Sequence, residues 1–146
     1  MTNIGSFIQE ADWRKEKHSP VIEGPDKVTI GEVFELTVGL SPDLDHPNTT
    51  DHHVSWISLY FHPEGAKFPH QVGHYEFSAH GESVKGSNQG SVYTHHQVKT
   101  YLKIEKPGTL YALSLCNIHG LWGAKKEVGL FPLKRSRPTL NRRGAN

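Results

Sequence analysis

A chain of 146 residues with 16 Lys and Arg against 15 Asp and Glu, a net charge of +1, is long enough to bury a core without help from disulfides or a structural metal. The charge balance gives no global field to hold nucleic acid or an anionic membrane, and one cysteine excludes an internal disulfide, so nothing argues for an oxidising compartment. The start "MTNIGSFIQEADWRKEKH" has no basic stretch followed by an apolar run, and no segment approaches a bilayer span, so the expectation is a soluble cytoplasmic protein.

Taken in chain order, "SFIQEADWRKEKH" (6–18) is mostly polar and predicts at most one short helix, with Phe7, Ile8 and Ala11 on one side. After Pro20 the pattern changes to short β-rich runs punctuated by turn residues, which predicts an all-β sandwich or barrel. Strands are expected over "VFELTVGL" (33–40), "HVSWISLYF" (53–61), "QVGHYEF" (71–77), "QVKTYLKIE" (97–105), "GTLYALSLC" (108–116) and "EVGLFPL" (127–133). In the second, alternation sends Val54, Trp56, Ser58 and Tyr60 one way and His53, Ser55, Ile57, Leu59 and Phe61 the other.

The segments "SPDLDHPNTTDH" (41–52) and "GESVKGSNQG" (81–90) read as loops, the second as an ordinary surface excursion. "EKPG" (105–108) reads as a tight turn, with Gly108 free to take a positive φ. The domain is expected to occupy residues 1–132. The remainder, "LKRSRPTLNRRGAN" (133–146), has five Lys or Arg and no acid and reads as a flexible basic tail.

The chemistry concentrates at "CNIHG" (116–120). A thiolate and an imidazole at a strand end can share one metal, because the chain turning out of the strand brings both donors to a common point. Imidazoles in other loops, His18, His46 and His52, extend the donor supply. Nitrogen donors with one soft thiolate favour a redox transition metal over magnesium or calcium. Zinc stays open, though structural zinc usually takes more cysteines. A blue-copper site in a β-sandwich also takes two histidines and a cysteine, usually with an axial methionine, and the only methionine here is Met1.

The strings "EKH" (16–18), "HPNTTDHH" (46–53), "LYFHPEG" (59–65), "VGHYEFSAHGES" (72–83) and "LYALSLCNIHGLW" (110–122) resemble the superoxide reductases of the one-iron, neelaredoxin type. The similarity runs in order from about Trp13 to about Val128. Their two-iron relatives, the desulfoferrodoxins, carry an additional cysteine-rich iron domain, for which this chain has no second cysteine.

The resemblance implies an immunoglobulin-like β-sandwich with a short irregular or helical N-terminal segment. It implies one non-haem iron per subunit, cycling between ferrous and ferric. His18, His46, His52 and His119 would be equatorial ligands and Cys116 the axial one, leaving a sixth position open. The implied reaction is one-electron reduction of superoxide to hydrogen peroxide. Lys17 would correspond to the family's catalytic lysine, and Glu16 to the glutamate that ligates only the ferric state. A rubredoxin-like electron donor and a homotetrameric assembly are also implied. Backbone N–H groups of Asn117 to His119 are expected to bond the Cys116 sulfur, and Gly120 to let the chain leave without a clash. The remaining seven histidines read as structural or surface residues, and Trp122 and Tyr111 as core packing. The alternative is a cupredoxin-like electron carrier or a metal-binding module without turnover.

Overall fold

The computed structural model describes residues 2–133. The basic tail assigned to 133–146 lies outside the described residues except for Leu133. Eight strands follow a short 3-10 helix, Ile4–Phe7: β1 (Pro20–Glu23), β2 (Lys27–Val28), β3 (Phe34–Leu40), β4 (Val54–Pro63), β5 (His70–Glu76), β6 (Gln97–Leu102), β7 (Gly108–Cys116) and β8 (Gly120–Leu130). They form two sheets, β1-β3-β6 and β2-β8-β7-β4-β5, antiparallel except where β2 joins β8.

The sheets face each other as an immunoglobulin-like β-sandwich. Its core joins Leu36 and Val38 of β3 to Ile57, Leu59 and Phe61 of β4 and to Leu110 and Ala112 of β7. Leu36, Ile57, Leu59 and Leu110 are completely buried, and burial of each such side chain contributes about 1.5–3 kcal/mol.

Alternation in β4 holds from Ile57 onward, but Val54 also points into the core. The pairing of β4 with β7 slips between Val54 and Trp56, so one extra residue, Ser55, flips the parity. This bulge puts Val54 beside Cys116, at the end of the sandwich where the chemistry collects.

Several expectations are corrected. The N-terminal segment is short and irregular apart from the 3-10 turn Ile4–Phe7, as expected, but Phe7, Ile8 and Ala11 form no helical face, because Gln9 pairs with β8. The Gln9 N–H donates to the Leu121 carbonyl (3.0 Å) and the Gly123 N–H to the Gln9 carbonyl (2.8 Å). Tertiary pairing overrides the weak local periodicity. The short strands β1 and β2 escaped sequence reading, and β8 starts at Gly120 instead of residue 127 because residues 120–128 pair with β7.

The 105–108 segment is not a hairpin turn; it carries the chain from one sheet to the other. Gly108 keeps an ordinary negative φ and is required for space, since a Cβ there would strike the His62 carbonyl oxygen. Among the described residues no helix is long and apolar enough to cross a membrane.

Candidate metal centre

One end of the sandwich gathers the start of β1, the end of β3, the start of β4 and the β7–β8 turn, because Pro20 pairs with Leu40, Val54 with Cys116, and Cys116 with Gly120. Every sequence-assigned metal ligand lies in these connections. His18 precedes β1, His46 and His52 lie between β3 and β4, Cys116 closes β7, and His119 sits in the three-residue turn into β8.

Cys116 shares the inward parity of Leu110 and Ala112, so its sulfur is buried. The turn that follows needs a residue with positive φ before β8 can start, and Gly120 supplies it at +80°. Open space surrounds the position, so its demand is conformational and not the relief of a clash. The turn brings His119 Nδ1 to 3.6 Å from the Cys116 sulfur.

His119 Nδ1 also lies 3.1 Å from His18 Nε2 and 3.2 Å from His52 Nε2. One donor atom from each of His18, His52, Cys116 and His119 falls within 4.8 Å of the others. His46 stands beside this group, its ring centroid 4.8 Å from that of His18 and 4.9 Å from that of His52. Burial is graded: His18, His46 and Cys116 are enclosed, His52 is half-buried and His119 is exposed.

The donors fit a metal ion. His46 Nδ1 donates to the Pro47 carbonyl (2.7 Å), which fixes the tautomer and leaves Nε2 as a free lone pair. That Nε2 is fully buried and has no hydrogen-bond partner among the described residues, a costly arrangement that a bound cation relieves. Burial lowers the His46 pKa to about 4. Burial also lowers the His52 pKa, with help from the positive charge of its neighbours, His119, His18 and Lys17 among them. Both imidazoles are therefore neutral near pH 7, the form that binds metal. A thiolate with several imidazoles suits a redox-active transition metal such as iron.

Glu16 does not point away from the histidines. Its carboxylate accepts from the His18 backbone N–H (3.1 Å) and from His18 Nδ1 (2.7 Å), turning Nε2 inward. The side-chain bond to His18 is the main cause that lowers the Glu16 pKa. Lys17 is half-buried, and its charge reaches both Glu16 and His52.

Only part of the expected bonding to sulfur is present. The His119 N–H donates to the Cys116 sulfur (3.4 Å), but the Asn117 N–H donates to the His53 carbonyl (3.1 Å). Asn117 instead ties the two ligand segments together. Its carboxamide donates to the Asp51 carbonyl (2.9 Å) and accepts from the His53 N–H (2.9 Å). Trp122 is buried but belongs to the site, stacking on His18 at 4.9 Å and donating from its indole nitrogen to the His119 carbonyl (3.2 Å). Its place two residues into β8, directly after a ligand turn, was the available signal. Tyr111 is substantially exposed and is not a core residue.

Comparison with known proteins decides the family. The desulfoferrodoxin family model matches residues 10–125. The chain belongs to the desulfoferrodoxin family.

Among related desulfoferrodoxin-family proteins, the neelaredoxin of Megalodesulfovibrio gigas is 55% identical over 124 residues, 85% of this chain and 95% of the relative. The superoxide reductase of Pyrococcus furiosus is 51% identical over 127 residues, 87% of this chain and 98% of the relative. In three dimensions, a putative superoxide reductase from Thermotoga maritima superposes with a TM-score of 0.88 at 45% identity, covering 90% of this chain and all (100%) of that one. The reduced neelaredoxin of Archaeoglobus fulgidus gives 0.79 at 50% identity, covering 85% and 99%.

Proposed function

We propose that this chain is a superoxide reductase with one iron held by His18, His46, His52, His119 and Cys116. The observation that carries the reading is the convergence of three imidazole nitrogens and one sulfur within 4.8 Å, with the orphaned Nε2 of His46 alongside. When bound, ferrous iron supplies the one electron that, with two protons, converts superoxide to hydrogen peroxide.

The chain's own groups do the rest. The Cys116 sulfur lies on the enclosed side of the site, and His52 and His119 lie toward solvent, so a small anion would reach the site from the side of these two imidazoles. Lys17, which follows Glu16 and whose charge is felt at His52, draws the anion in and holds a proton source near it. Glu16 keeps His18 aligned through two hydrogen bonds. Both bonds are to Oε1, so Oε2 is the oxygen that would be available for the ferric-state role implied by the resemblance.

A cupredoxin-like carrier is the less favoured reading, because the site presents more imidazoles than the two that copper with an axial ligand requires. A rubredoxin-like donor is supported by the exposure of Ile118 and His119, which leaves only a short path from the surface to the metal ligands. A homotetramer is supported by Trp56, Tyr60, Leu113 and Leu115, partly exposed on the face of the larger sheet turned away from the core, apolar surface of the kind that a second copy covers. A cytoplasmic setting suits a lone cysteine that must stay reduced.

Lys17→Ala tests the steering. The second-order rate with superoxide should fall by roughly tenfold at low ionic strength, and its dependence on salt should flatten. An unchanged salt profile removes Lys17 from this role.

A further inference from the structure

The 81–90 segment, a surface excursion by its composition, is closed at its base and pressed against the loop that carries His46 and His52. A bridge between His80 and Tyr93 and the bond from the Thr94 N–H to the Ala79 carbonyl (2.7 Å) shut it. The Gly90 N–H donates to the Gly81 carbonyl (2.9 Å), and the Glu82 carboxylate accepts from the His80 N–H (2.7 Å). His80 is therefore mounted on a braced element and is 3% exposed.

From this mount three groups reach the ligand loop. The carboxamide nitrogen of Asn48 donates to the Thr94 carbonyl (2.6 Å), which turns its oxygen toward His80, and His80 Nδ1 donates to that oxygen (2.9 Å). The other ring nitrogen of His80 faces the Phe77 carbonyl, an acceptor that a second N–H meets only in the imidazolium form. The His80 ring stacks flat on His53, with centroids 3.5 Å apart and planes inclined by 4°. Thr50 is held by a reciprocal pair: its N–H donates to the Asn88 side-chain oxygen (2.8 Å), and the Asn88 N–H donates to the Thr50 hydroxyl oxygen (3.1 Å). Asn88 takes a positive φ of 61° to do so.

These contacts grip residues 48, 50 and 53, and the two ligands of the loop are 46 and 52. We propose that His80, Asn88 and the Thr94 carbonyl form a clamp on Asn48, Thr50 and His53 that positions His46 and His52, so that metal retention depends on a segment with no metal ligand in it. The clamp opposes Asn117, which grips the same loop from the turn carrying Cys116 and His119. Held from both sides, the loop presents its two imidazoles in a fixed relation to the other donors before metal arrives. His80 acts through Asn48 and His53 and touches neither metal nor substrate; it is a positioning residue.

The inference rests on the iron-centre reading above, and its test reads metal retention without turnover. Ferrous-loaded protein is mixed with excess ferrous chelator, and iron release is timed at a temperature where each metal-free variant is folded. His80→Phe keeps the stack on His53 and removes both ring nitrogens; His80→Gln restores a donor for Asn48; Asn88→Gly removes the carboxamide and tolerates the positive φ. The expected result is roughly tenfold faster release from His80→Phe, a return toward the wild-type rate in His80→Gln, and intermediate acceleration in Asn88→Gly. His62→Phe, which loses a bond to the Ala66 carbonyl in the β4–β5 connection, is the control.

Wild-type release from a folded His80→Phe, or equal acceleration by the control, overturns the clamp. Should His80→Phe fail to fold, Asn88→Gly decides by the same rates. A wild-type chain that retains no ferrous iron overturns the iron-centre reading itself, and the clamp with it.

Discussion

Cys116→Ser abolishes both the sulfur-to-iron charge-transfer colour of the oxidised protein and its turnover of superoxide. The expectation follows from the position of the sulfur. Cys116 is 3% exposed, faces inward at the end of β7, and receives the His119 N–H at 3.4 Å. It is the only thiol in the chain. A serine hydroxyl fits the same space but is a hard, protonated oxygen at neutral pH, so the site loses its one anionic soft ligand while four imidazoles remain. The fold should survive, because the exchange replaces one small buried side chain by another and leaves the β7–β8 pairing untouched. Absorption spectroscopy of the oxidised protein and rapid mixing with superoxide check the two halves. A variant that keeps both colour and turnover removes Cys116 from the ligand set.

The second large effect comes from His46, and its signature is a contrast between two states. His46→Leu should leave the metal-free protein about as stable as the wild type, because two terms oppose. Removing a fully buried, unpartnered Nε2 gains about 1–3 kcal/mol, and losing the donor to the Pro47 carbonyl costs about 0.5–1.5 kcal/mol. The iron-loaded protein behaves differently. Metal that binds only the folded state raises the melting temperature by an amount that grows with the logarithm of its affinity, and losing one buried nitrogen donor should remove most of that rise. Melting curves with and without ferrous iron check it. An undiminished iron-induced rise in the variant would show that His46 is a packing residue beside the site.

Much of the fold was legible because its strands are bounded by strong punctuation. β7 follows Pro107 and ends at a tight turn, and the expected 108–116 coincides with it. β6 shows clean alternation of exposed and half-buried residues and was readable for that reason. What escaped depended on partners. β1 has four residues and β2 two, too short for periodicity to register. The first half of β8 contains Gly120, Gly123 and a Lys pair, which argue against a strand locally, and is held in place by β7. The N-terminal segment likewise takes its conformation from the edge of β8.

The candidate site was legible in its donors and not in its supports. A lone cysteine and four loop histidines stand out by residue type, and the resemblance places them in one set. Nothing in the sequence says that Asn117 grips the His52 loop, that Trp122 lies against His18, or that His80 braces Asn48 and the 81–90 excursion braces Thr50. Asn, Thr and Gly in those stretches read equally well as plain turn formers. Their function comes from which loops the two sheets bring together at one end, a property of topology. Glu16 shows the same limit: its residue type allows a ligand role, and its geometry reveals a second one, the alignment of His18.

The most direct test of the central claim is the yield of hydrogen peroxide per superoxide consumed by the iron-loaded protein with excess reductant. The account predicts one peroxide for each superoxide, since the electron comes from outside and no oxygen is formed. Half that yield would mean dismutation, and no accelerated consumption would mean that the site holds a metal without turning over; either result contradicts a reductase.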